Sequence, residues 1–160
     1  MKKVLVIYDS MHGNTEKVAH AIAGALAPEV AVEVRRVGEV APEALGAVDL
    51  LIIGSPTQGF RPTKPMIDLL KRVSMGGLKG VKAAAFDTRF EAGKLDSGAL
   101  RLLIKTGGYA APRIGAALKK TGGILVLPPE GFFVEDTEGP LKGGELDRAA
   151  AWAKSVLQAG

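Results

Sequence analysis

Ser10, Gly13, Asn14 and Thr15 fall within six positions, after the apolar run Val4–Tyr8 and before a helical pattern. Three neutral side-chain donors, a glycine and the unpaired amides of a helix N-terminus make a place that favours an anion, phosphate above all. Capping the helix needs only one such side chain. The loop holds no lysine, and Lys17 lies three residues into the helix. A phosphate here is therefore gripped by uncharged donors, each worth roughly 1.5–3 kcal/mol net. The patterns G-x-G-x-x-G and G-x-x-x-x-G-K-[ST] are both absent from this turn. His12 reads as an exposed loop residue, with no carboxylate at a triad spacing.

Two further stretches share the polar, glycine-rich character of this loop. They are 54–61, opening Gly54-Ser55-Pro56-Thr57-Gln58-Gly59, and 87–93, Asp87-Thr88-Arg89-Phe90-Glu91-Ala92-Gly93. All three follow apolar runs that read as strands: Lys3–Tyr8, Asp49–Gly54 and Val81–Phe86. Nearly continuous apolar runs of this kind belong to parallel sheets covered on both faces. Val30–Val37 alternates with Glu33 and Arg35, so it reads as an edge strand.

Helical faces recur between the strands. Val18, Ala21, Ile22, Ala25 and Leu26 make the first, ended by Pro28; Met66, Leu69, Leu70 and Val73 make the second. A short helix is expected at Asp96–Lys105 and another from Pro112, with Ile114, Ala117 and Leu118 on its face and Gly122-Gly123 at its end. Ile124–Leu127 reads as a strand and Pro128–Pro140 as a long irregular stretch with a short strand extension at Phe132–Val134. Leu146, Ala149, Ala150, Ala153 and Leu157 mark a last helix, with Trp152 off its best face and partly exposed. Alternating strands and helices predict one α/β domain over residues 1–160, a three-layer doubly wound parallel sheet of five strands. Ligands of such sheets sit outside the carboxyl ends of the strands, where the three polar loops fall.

Composition narrows the rest. The chain has 160 residues, 47% of them apolar, and no cysteine. The apolar share argues against disorder, and the absence of cysteine excludes disulfides and thiolate chemistry. Two histidines are too few for a histidine-rich metal site. The formal charge is +4 and the pI about 9.4. The cations are scattered, with no run of five and few aromatics for base stacking, so nucleic acid is not expected as a partner. No apolar run approaches the roughly 20 residues of a membrane span, and a soluble, cytoplasmic protein is expected.

The motif Tyr8-x-Ser10-x-x-Gly13-Asn14-Thr15 resembles the FMN-phosphate loop of flavodoxins. Gly54-Ser55-Pro56-Thr57-Gln58-Gly59 resembles the flavodoxin loop that lies against the isoalloxazine ring. The resemblance spans nearly the whole chain. It implies a flavodoxin-like fold of strand order 2-1-3-4-5, bound FMN and electron transfer with a redox protein partner, away from membranes. It places Ser10, Met11, His12, Gly13, Asn14 and Thr15 around the phosphate. Ser55, Pro56, Thr57, Gln58, Gly59 and Phe60 belong to the loop along the ring, where the Gln58–Gly59 carbonyl meets flavin N5 of the reduced ring. The third loop adds Asp87, Thr88, Arg89 and Phe90, with Phe90 as the aromatic for stacking or Arg89 stacking by its guanidinium plane, and Asp87 either capping the loop or accepting from the ribityl chain. The implied site has no catalytic residue of its own and no metal. This loop and the basic charge both depart from the family, whose members are typically acidic.

Three functions follow in order: an electron carrier, an FMN-dependent NAD(P)H or quinone reductase, and a non-redox signalling module. The reductase needs a wall over the ring, for which Pro128–Pro140 with Phe132 or Phe133 is the candidate. A signalling module wants an acidic cluster after the first strand, where only Asp9 stands. A cation about 5 Å from a reduced, anionic flavin favours it by roughly 1–3 kcal/mol at an effective dielectric near 20. Arg89 is thus expected to raise the flavin potential relative to Arg89→Ala.

Overall fold

A computed structural model describes residues 2–90, 98 and 108–160. Six strands, β1 (Lys3–Tyr8), β2 (Ala31–Arg36), β3 (Leu50–Pro56), β4 (Lys82–Arg89), β5 (Ile124–Leu125) and β6 (Glu130–Phe133), form one sheet. The helices that flank it include α1 (Asn14–Leu26), α2 (Lys64–Lys71), α3 (Ala110–Lys120) and α4 (Glu145–Ala159), and two short 3-10 helices, Val37–Glu39 and Pro42–Ala47, lie between β2 and β3. The order is β2-β1-β3-β4-β5, with β6 also on β4, and every pairing is parallel. This is the expected doubly wound arrangement. No helix among the described residues is long and apolar enough to cross a membrane.

Strand periodicity divides the apolar residues between two layers. Val4, Val6 and Tyr8 of β1 pack with Val18, Ile22 and Leu26 of α1 and Ala149, Ala153 and Val156 of α4. Leu5 and Ile7 point the other way, toward Met66 and Leu69 of α2 and Ile114 and Leu118 of α3. The alanines of β4, Ala83, Ala84 and Ala85, are fully buried and let helices approach on both faces.

The fifth strand differs from its expected form. It stops at Leu125, and the chain resumes pairing only at Glu130. Between them lie Pro128 and Pro129, which have no N–H to give a ladder. β5 pairs with Lys82 and Ala83 of β4, and β6 with Phe86 to Arg89. The short strand expected at Phe132–Val134 in this otherwise irregular stretch is β6, which begins at Glu130 and extends the sheet beside the third loop. α3 begins at Ala110, placing Pro112 inside its first turn. The helix expected at 96–105 lies outside the described residues apart from Gly98, as do Glu91, Ala92 and Gly93.

Phe132 and Trp152 are corrected most. Phe132 is fully buried and Trp152 is 9% exposed. Their rings meet edge to face at 5.9 Å, and each meets Phe86, at 6.1 and 6.0 Å. The small residues Ala149 and Ala153 leave room for the indole, and β6 carries Phe132 beneath the same helix. Gly54 completes this packing: it pairs in register with Phe86, whose ring fills the space a Cβ would take. Because that ring is wedged between Phe132 and Trp152, it has nowhere to move. Gly54→Ala is expected to cost about 1–3 kcal/mol, read as a lower urea midpoint at unchanged slope.

Candidate functional site

The carboxyl ends of β1, β3 and β4 open on a shared cavity of about 360 Å³. Its first wall is the turn 10–15. The Ser10 Oγ accepts from the Gly13 amide at 3.0 Å and, more weakly, from the Glu16 amide at 3.4 Å. Gly13 takes the left-handed conformation, φ 89°, at the start of α1, a backbone state open to glycine at little cost. Among the described residues the amides of Met11, His12, Asn14 and Thr15 have no acceptor. With Ser10 accepting, its own hydroxyl proton is left to donate. Five donors thus sit at the positive end of a helix of 13 residues.

Neighbouring side chains fix this turn. Asp9 accepts from the Ser10 amide at 2.9 Å and from the Thr63 hydroxyl at 2.6 Å, so its carboxylate is spent on structure. Thr15 Oγ1 lies 2.8 Å from Thr88 Oγ1, joining the first loop to the third. The Asn14 side-chain Nδ2 donates to the Glu138 carbonyl at 3.1 Å. This bond ties the segment after β6 to α1, and Val134 and Thr137 of that segment line the cavity. The wall expected of Phe132 or Phe133 is made by these two instead, because Phe132 is in the core.

The second wall is a two-residue turn. Gln58 and Arg61 exchange amide–carbonyl bonds of 2.8 and 3.1 Å around Gly59 (φ 53°) and Phe60 (φ 68°). Positive φ at both central residues is the type I′ geometry. For Phe60 it costs about 1–2 kcal/mol. Pro56, Thr57, Gln58, Gly59 and Phe60 all line the cavity. Ser55 does not: it is fully buried, donates to the Pro56 carbonyl at 2.9 Å and accepts from the Thr63 amide at 3.0 Å. Its role is to hold the loop.

The third wall carries Thr88, Arg89 and Phe90, with Asp87 behind it. Asp87 is fully buried and accepts from Arg89 Nε at 2.6 Å and Nη2 at 2.7 Å. It also accepts from the Ala111 amide at 2.8 Å, in the first turn of α3. Burial pushes its carboxyl above the ordinary aspartate value; Arg89 and the Ala111 amide pull it part of the way back. Asp87 thus holds the first turn of α3 and is not among the residues lining the cavity. Arg89 stands in the cavity wall, but its charge is paired. Its guanidinium carbon lies 3.6 Å from the centre of the Tyr109 ring. Tyr109, which lines the cavity and donates to the Phe90 carbonyl at 3.2 Å, was not among the expected residues. An aromatic just before the Pro112 helix start was the available signal.

The family model for flavodoxin matches residues 6–88, more than half of the chain. The chain belongs to the flavodoxin family. Its fold is that of oxidised flavodoxin 1 from Bacillus cereus, with a TM-score of 0.77, 22% identity and coverage of 98% of this chain and 97% of that one. Flavodoxin 2 from Bacillus cereus matches with a TM-score of 0.75 and 24% identity over 99% of both chains. A curated relative from Azorhizobium caulinodans, named NAD(P)H dehydrogenase (quinone), is 32% identical over 111 residues, covering 54% of this chain and 56% of the relative. The chain thus spans about half the length of the curated relatives it matches.

Family and fold support a flavin-binding redox function. The residues present suit a flavin with a phosphate tail. Donors without acceptors lie in the first wall, and the aromatic residues Phe60, Phe90 and Tyr109 also line the cavity. Among the described residues, no lysine or arginine of the turn 10–15 lines the cavity; the Arg36 guanidinium stands behind the turn, donating to the Ser10 carbonyl at 3.2 Å and lying 3.6 Å from Asp9.

Proposed function

We propose that this flavodoxin-family chain binds FMN and carries electrons to and from a redox protein. The observation that supports this most is the row of four acceptor-free amides beside Ser10, opening into a cavity that three strand ends share. Bound FMN supplies the electron-accepting and electron-donating chemistry. The chain's own residues position and tune it. Ser10 and the amides of Met11, His12, Asn14 and Thr15 take the phosphate. The Gly59–Phe60 turn and Tyr109 flank the slot for the ring.

The test is direct. Purified protein mixed with FMN is passed through gel filtration, and titration calorimetry is run with FMN and with riboflavin. Visible flavin absorbance is expected to travel with the protein, with FMN bound more tightly than riboflavin. No heat with FMN would end this reading.

The relatives named NAD(P)H dehydrogenase (quinone) support a second reading, an FMN-dependent reductase. NADPH oxidation by the FMN-loaded protein with a quinone acceptor separates the two. Steady turnover favours the reductase; its absence, with prompt exchange of electrons with a redox protein, favours the carrier.

Asp87 gives a further expectation. Arg89 faces the cavity with its charge offset by Asp87. Asp87→Asn leaves the guanidinium uncompensated beside the ring and is expected to raise the reduction potential of bound FMN. Arg89→Met moves it less, because the buried Asp87 then protonates and the local net charge stays near zero. Potentiometric titration of both variants checks the order.

A further inference from the structure

Between α2 and α3 lies a second hollow, of about 550 Å³. Its floor is apolar: Ile67, Leu70, Val73 and Ala117, with Met75 standing 73% exposed at its edge. Among the described residues four cations line it, Arg61, Lys71, Arg113 and Lys120, and no acidic residue does. None of the four has a carboxylate partner among the described residues. Charge is segregated toward this face. Residues 61–79 and α3 hold eight lysines and arginines against one acid, Asp68, and Asp68 already pairs with Lys64 at 3.3 Å.

We infer that this hollow is the docking site for an acidic redox protein, one that seats an apolar side chain on the floor and carboxylates around it. That the partner is a redox protein rests on the electron-transfer reading; that it is acidic rests on the charges alone. Four cations left unpaired are the complement of a carboxylate ring, and such pairing steers encounter and fixes register. An apolar centre with a charged rim is the ordinary anatomy of a protein interface. The position suits the purpose. Phe60 lines the first cavity and the next residue, Arg61, lines the hollow. The Thr57 hydroxyl, in the same loop, accepts from the first amide of α3 at 3.0 Å. A partner seated here therefore adjoins the loop that borders the ring. Other occupants fit less well. A second copy presenting the same face brings cations to cations. Nucleic acid finds no aromatic side chain among the described lining residues on which to stack a base.

The experiment uses the isotope-labelled full chain, FMN-loaded and FMN-free, titrated with an acidic plant-type [2Fe–2S] ferredoxin and with a basic mitochondrial cytochrome c. Amide shifts or broadening are read at about 20 and about 300 mM salt. The ferredoxin is expected to perturb Arg61, Leu70, Val73 and Ala117 in both forms, with affinity falling about tenfold or more at high salt. The double variant Arg113→Glu/Lys120→Glu is expected to weaken it by at least about tenfold. The double variant Lys17→Glu/Lys154→Glu, with the same change in net charge at exposed sites elsewhere, is expected to stay within about twofold of the parent. Circular dichroism confirms that both fold.

Equal losses in the two variants would overturn the assignment, as would perturbation centred on another face or tighter binding of cytochrome c. Preferential binding of a short DNA duplex or of anionic phospholipid vesicles through the same amides would overturn it too. Contact is read on backbone amides and not on a flavin signal. Failure here therefore leaves FMN binding standing, and a chain that takes no FMN can still show the contact.

Discussion

Arg89→Met is expected to lower stability by about 3–5 kcal/mol at pH 7, the usual cost of leaving one member of a buried ion pair alone. The partner left behind is the fully buried Asp87. Its remaining bond in this cluster, from the Ala111 amide, does not offset a desolvated charge. The loss is pH-dependent, with a defined sign. In the parent, burial already holds the Asp87 carboxyl above its ordinary value, against the pull of Arg89. From the unfolded aspartate value up to that raised value the native state binds more protons than the unfolded chain, so stability falls as pH rises. Removing Arg89 lifts the native value further and extends the falling window upward. The variant should therefore match the parent closely near pH 4 and diverge toward neutrality. Urea midpoints at the two pH values check this; a difference that does not change with pH would show that the pair is not the cause. Replacing both residues, Asp87→Leu with Arg89→Met, should recover most of the loss, because an apolar pair carries no desolvation cost.

Which parts of this molecule were legible in the sequence follows from how local their causes are. The first turn could be read because its donors, glycine and helix start lie within six residues. The buried strands could be read because double burial leaves an unbroken apolar run, as in Leu50–Ile53. The Asp87–Arg89–Tyr109 stack could not, since it requires the end of β4 and the start of α3 to meet across a connection of some twenty residues. Trp152 and Phe132 were misjudged for the same reason. Neither periodicity nor composition shows that β6 returns to β4 beyond two prolines and carries a phenylalanine under α4. Ser55 stands in a loop that resembles a flavin-facing one, yet its hydroxyl turns inward to the Thr63 amide. The sense of a side chain at a strand end depends on where the strand stops pairing, and that is decided by the neighbouring strand.

The second large effect concerns Ser10. Ser10→Ala is expected to weaken FMN binding by about 2–4 kcal/mol, some thirty- to a thousandfold. Two losses combine. The hydroxyl proton no longer reaches the anion, and a donor to a charged group is worth about 1.5–3 kcal/mol. The Oγ also ceases to accept from the Gly13 and Glu16 amides, so the turn loses the side chain that orders its backbone. The remaining donors, the amides of Met11, His12, Asn14 and Thr15, then pay an ordering cost on binding that the parent has already met by folding. Riboflavin, which lacks the phosphate, should bind parent and variant alike, and Ser10→Thr should restore FMN affinity because the hydroxyl returns. Calorimetry with both ligands separates the explanations. If Ser10→Ala weakens riboflavin as much as FMN, the residue shapes the whole cavity and the phosphate is held elsewhere. If the loss is confined to FMN, the neutral turn at the end of β1 is the anion site, and its affinity is set by hydrogen-bond geometry without a charged side chain.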